Sequence, residues 1–240
     1  MAPPHDELIK LGPRPASAER LVAEVWNNSG NLLSALAGRL KFEPGAAVAV
    51  FCVECGGNGF GPDGRMVIRF ENHHFFRHWG KSHNEAFDPH FRFDPKETWK
   101  SHQWRESSGG AFEPVHQDQA SEWRVFEFAR TLDDTAAKLS ISMGGPQIMG
   151  SNYAGAGFQS VQQMFDAFAA SEKRQIIAFF DFLQGTETHP RKVLALQRMD
   201  FVRFAELYND RGNAAIYSAR IRTMYDTFQR LRPAATPAAA

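Results

Sequence analysis

Cysteine is nearly absent: among 240 residues only Cys52 and Cys55 carry thiols. A disulfide framework and a zinc site built from four cysteines are therefore excluded. The C-x-x-C spacing could serve a redox pair, but such a pair needs a strand-helix-strand context, whereas this run reads as the end of a helix entering a glycine-rich turn. Packed free thiols are the simpler expectation. Net charge is missing as well, since 27 basic and 27 acidic side chains cancel, so no global field draws the chain toward nucleic acid or an anionic membrane. No stretch of about 18 or more apolar residues occurs, which leaves no candidate membrane span. Met1 to Glu7 lacks the basic start and apolar run of a secretory signal. The expectation is synthesis in the cytoplasm, so a substrate beyond the membrane would call for help with export.

What the chain does have is enough apolar content for a large core, 43% of residues. Residues 1–16, with four prolines, read as a flexible N-terminal segment, 17–231 as a single folded domain, and 232–240 as a disordered Pro/Ala tail. From Ser17 to Leu40, Leu21, Val22, Val25, Leu32, Leu33, Leu36 and Leu40 recur at helical spacing. Glu43-Pro44 fits a helix start, and the apolar run Ala46 to Val53 then predicts a buried helix whose last turn carries Glu54. After the turn Gly61-Pro62-Asp63-Gly64, residues 65–71 predict a strand, and 80–117 read as a long irregular excursion. Helical patterns follow over 121–129, 133–139, 160–169, 172–183, 192–196, 200–208 and 214–231, with Ser160, Ser171 and Asp200 as N-caps. The fold class expected is α+β, mainly α.

Glu54 is the one acidic residue flanked by such an apolar run. A carboxylate withdrawn from water is costly, and partial burial favours its protonated form, which is what a glycosidase uses to protonate a leaving oxygen. A glutamate that merely ends a helix in solvent would fit the same pattern.

Three segments, in order, resemble motifs of one superfamily. Glu54-Cys55-Gly56-Gly57 resembles the Glu-Ser-Gly-Gly segment that carries the catalytic glutamate of lysozyme-superfamily muramidases and lytic transglycosylases. Met143-Gly144-Gly145-Pro146-Gln147-Ile148-Met149-Gly150 is similar to their groove-lining Gly-Leu-Met-Gln motif, and Leu207-Tyr208-Asn209 to their Ala-Tyr-Asn motif. The closest resemblance, over about residues 20–228, is to the N-acetylmuramidase family of phage endolysins, with Cys55, Met143 and Gly145-Pro146 departing from its pattern.

The resemblance implies a lysozyme-like fold with a small β element after the catalytic helix. It also implies cleavage of the β-1,4 bond between N-acetylmuramic acid and N-acetylglucosamine, with Glu54 as general acid. Glu71 is the candidate base, with Asp63 as rival, although Glu71 could equally pair with Arg65, Arg69 or a histidine. Gln147, Met149, Tyr208 and Asn209 are candidate glycan contacts; core packing and helix capping are the competing roles for them. Peptidoglycan strands are the expected partner, with no nucleic acid and no cofactor, and a holin or an injection apparatus would provide passage across the membrane. A lytic transglycosylase using the same acid, and a non-catalytic glycan-binding component of a phage tail or injection apparatus, remain alternatives. Nine histidines invite a metal assignment, but His74 and His78 have i, i+4 spacing without a His-Glu-x-x-His pattern, so no metal is expected. Trp99 and Trp104, in the excursion, are candidate sugar-stacking aromatics.

Overall fold

The computed structural model describes Pro3 and residues 7–56, 58–185, 190–208 and 213–232. It is mainly helical, and the chain divides into two compact units, 1–57 with 176–240, and 58–175.

Among its described residues the first unit has helices and no strand. α1 (Ser17–Arg39) and α2 (Pro44–Cys55) pack against each other, and both pack on α11 (Ala214–Leu231). α2 is apolar on every face, and each residue from Gly45 to Cys52 is buried, so the helix is a central rod rather than an amphipathic surface element. Pro44 opens it at the first helical position, and the Glu43 carboxylate accepts hydrogen bonds from the Tyr225 hydroxyl and the Gln229 amide of α11. Gly45 permits the close approach of α11, since a Cβ there would lie 2.8 Å from Gln229 Nε2 and 3.1 Å from the Phe228 ring. α2 stops because Gly56 adopts the left-handed conformation (φ 54°) and its N–H returns to the Cys52 carbonyl. α8 (Glu172–Gln184), whose residues from Ile176 belong to this unit, α9 (Arg191–Gln197) and α10 (Phe201–Tyr208) complete it. Asp200 caps α10 as its sequence predicts, its Oδ1 accepting from Arg203 N at 2.9 Å.

The second unit holds two small antiparallel sheets. β1 (Ile68–Phe70), β5 (Ile141–Met143) and β6 (Ile148–Met149) form one, in the order β1-β5-β6, with Ile68 opposite Met143 and Phe70 opposite Ile141. The first turn of α5 (Gln119–Leu132) acts as a fourth partner. Gln119 accepts from Ile68 N and donates to Ile68 O, the buried Glu122 accepts from Phe70 N at 2.7 Å, and Trp123 Nε1 donates to Met66 O. These bonds satisfy backbone groups that a three-residue strand would otherwise leave bare. α6 (Asp134–Leu139) and α7 (Val161–Ala170) carry the side-chain N-caps Asp133 and Ser160.

The 80–117 excursion is more ordered than its composition suggests. β2 (Phe91–Arg92), β3 (Gln103–Trp104) and β4 (Glu113–Pro114) form a second sheet, in chain order. Near them lie α3 (Asn72–His78) and the single turn α4 (Asn84–Phe87). Phe87, Phe91, Trp104 and Val115 are buried, and Phe70, Phe75, Phe87 and Phe91 form a continuous aromatic cluster with ring separations of 5.1–6.2 Å. The excursion thus supplies a hydrophobic core of its own, contrary to the reading of 80–117 as irregular. Trp104, read as an exposed sugar platform, is 4% exposed and lies within this core; Trp99 is exposed.

Candidate active site

In the first unit, the run that makes α2 a buried rod also sets the surroundings of Glu54 at its last turn. Glu54 is half-buried, and its Oε1 is covered from solvent. Tyr208 ends α10 with its ring stacked on Phe204 (5.6 Å between centroids, 13° between planes) and edge-on to Phe179 and Phe182. Phe179 in turn meets Phe51 of α2 edge-on at 6.2 Å. The Tyr208 hydroxyl is held well above the usual phenol range, first by burial and then by the negative charges of Glu54 and Cys55. Burial likewise pushes the Cys52 thiol far up, the negative charge of Glu24 adding to it, which suits a packed thiol and not a redox nucleophile. Glu54 and Tyr208, nominated separately from sequence, thus come within electrostatic reach of each other. Asn209 lies outside the described residues.

The other nominated residues lie in the second unit, and their contacts there are local. Gln147 sits in the β5–β6 turn with positive φ (48°); its Oε1 accepts from Ser142 Oγ and its Nε2 donates to Gly144 O, both at 2.7 Å. Its amide therefore builds the hairpin. Met149 is half-buried in β6, and Met143 is fully buried, so position 143 presents no face for sugar stacking. Two glycines of this motif leave no room for a Cβ, which would lie 2.5 Å from Gln175 Oε1 at Gly144 and 1.9 Å from the Lys138 carbonyl oxygen at Gly150. Gly144 has φ 66°, and the buried Gln175 reaches under the turn to accept from Gly145 N while donating to Phe168 O.

Asp63 closes its own turn by accepting from Arg65 N and Nε, and those bonds hold its carboxyl below the usual range. Glu71 is more enclosed. Its Oε1 accepts from Arg69 Nε at 2.8 Å, while Oε2 faces His102 Nδ1 at 3.3 Å and His73 Nδ1 at 3.6 Å. The pairing with Arg69 and a histidine, one of the two roles considered for Glu71, is what this geometry shows. No fixed spacing links His102 or His116 to position 71, so the sequence pattern alone does not join them.

A family model described as N-acetylmuramidase matches residues 43–229, which is most of the chain. The chain belongs to the N-acetylmuramidase family. It is a glycoside hydrolase of the muramidase type. The crystal structure of the Burkholderia AP3 phage endolysin is similar to it, at 25% identity and a TM-score of 0.65, over 92% of this chain and 74% of that one. No curated protein matches the chain. Among the described residues, no helix of this muramidase is long and apolar enough to cross a membrane.

Proposed function

We propose that this muramidase hydrolyses the β-1,4 bond between N-acetylmuramic acid and N-acetylglucosamine in peptidoglycan, with Glu54 as the general acid. The observation that carries the reading is the setting of Glu54: a carboxyl at the end of a helix buried from Gly45 to Cys52, half-sheltered, with one oxygen covered and its charge felt by the buried Tyr208 hydroxyl. In that setting Glu54 gives its proton to the bridging oxygen as the bond to the muramic acid anomeric carbon breaks, and water completes that carbon. One bond is cleaved and one water consumed, leaving a new hydroxyl on N-acetylglucosamine and a reducing N-acetylmuramic acid.

Glu71 is not assigned the water-activating role: Arg69 holds its Oε1, and its Oε2 faces the rings of His73 and His102. Likeness to a phage endolysin supports release through a membrane lesion made by another protein as the route to substrate.

Purified sacculi and outer-membrane-permeabilised cells test the reading. The wild-type chain is expected to clear both suspensions and release soluble muropeptides. Binding to sacculi without release of fragments would instead indicate a glycan-binding protein.

A further inference from the structure

Around the second sheet, four titratable side chains from three segments converge. Glu71 precedes α3 and His73 lies in its first turn; His102 immediately precedes β3; His116 follows β4. Donor atoms of Glu71, His73 and His102 all lie within 4.8 Å of one another.

Hydrogen bonding on the outer side of the cluster fixes where the lone pairs point. His102 Nε2 is 2.8 Å from the Thr98 carbonyl, which can only accept, and 3.3 Å from His73 Nδ1, so the shorter contact takes the ring proton and Nδ1 is the nitrogen turned toward Glu71. That Nδ1 faces the Glu71 carboxylate at 3.3 Å. His116 Nδ1 is 2.8 Å from Glu122 Oε1, and its Nε2 is 3.0 Å from the same His102 Nδ1. The Glu71 carboxylate and the imidazole nitrogens thus face one another, an arrangement that a cation between them stabilises.

We propose that Glu71, His73 and His102 form a binding site for a divalent transition-metal ion of the zinc class. Two imidazoles and one carboxylate suit such an ion, and the separations of 3.3 and 3.6 Å from Glu71 Oε2 to the two rings match the roughly 3.3 Å between donors of a tetrahedral site with bonds of about 2.0–2.1 Å. The outer contacts are of the kind that orient metal ligands. His102 gives its other N–H to a backbone carbonyl, and Arg69 occupies Glu71 Oε1 while leaving Oε2 for the ion. His116, itself held by Glu122, faces the same His102 Nδ1 from the side of β4.

His73 and Thr98 also line a cavity of about 850 Å³ walled by Phe76, Phe87, Phe91 and Phe93, which gives solvent and ion a way in. The ion joins the start of α3 to a segment 29 residues later, tying down a sheet of two-residue strands. None of this depends on Glu54.

The test uses the full, tag-free chain, stripped by chelator, dialysed against zinc or cobalt(II), and assayed for bound metal by mass spectrometry, with circular dichroism confirming the fold. One ion per chain is expected, with a visible cobalt spectrum of tetrahedral type and a higher melting temperature in the presence of zinc. Glu71→Gln, which keeps shape and an acceptor for Arg69, and separately His73→Gln should each weaken binding by more than the roughly 10–100-fold typical of losing an outer-shell partner. His83→Ala should bind like wild type. Failure of the folded wild-type chain to retain stoichiometric metal, or retention unchanged in Glu71→Gln and His73→Gln, would overturn the proposal.

Discussion

Replacing Glu54 by glutamine is expected to lower the rate of sacculus solubilisation by about 10²–10⁴-fold while leaving fold and glycan binding in place. The size follows from the role. An amide has the shape of the carboxyl and can still hydrogen-bond, but it has no proton of useful acidity to hand to a leaving oxygen. The fold should persist because the termination of α2 rests on Gly56 and its bond to the Cys52 carbonyl, and the helix is held by the buried residues from Gly45 to Cys52. Pull-down on purified sacculi, scored beside solubilisation, separates the two properties. A variant that binds and digests like wild type would remove Glu54 from the mechanism.

A loss of comparable weight, but in stability, is expected from Gly150→Ala. A Cβ at position 150 would sit 1.9 Å from the Lys138 carbonyl oxygen, 2.9 Å from its carbon and 3.0 Å from Met143 Cε. Two of these atoms belong to the backbone near the end of α6, which Asp133 caps, and the third to a fully buried side chain, so no flexible group can yield cheaply. Overpacking of this kind costs about 3 kcal/mol. Gly38→Ala is the contrast, because a Cβ there meets nothing within 4 Å and the position is exposed in α1; a gain of about 0.5–1 kcal/mol is expected from the smaller backbone entropy of the unfolded chain. Urea denaturation of both variants measures the difference, and equal midpoints would contradict the packing described for the 143–150 turn.

The sequence was most readable where one physical demand dominates. A helix apolar on all sides has one explanation, so α2 and the position of Glu54 at its end were evident without coordinates. Short strands within the excursion were hidden because two-residue elements have no periodicity to detect, and β4 even contains Pro114. Gln147 shows a different limit. A polar residue within a recognised motif suggested glycan contact, yet its amide is used by Ser142 and Gly144 to shape a turn. The histidine cluster was invisible for a third reason. His74 and His78 drew attention because they share a helical spacing, whereas the donors that converge, at 71, 73 and 102, are joined by folding and not by sequence distance.

The most direct measurement is the chemical identity of the ends that the enzyme creates. Sacculi digested by the wild-type chain and analysed by mass spectrometry should yield fragments ending in reducing N-acetylmuramic acid, each one water heavier than its anhydro counterpart and, unlike it, gaining two further hydrogens on treatment with borohydride. Anhydro-muramic ends, or reducing ends on N-acetylglucosamine, would contradict hydrolysis of the muramic acid linkage by Glu54.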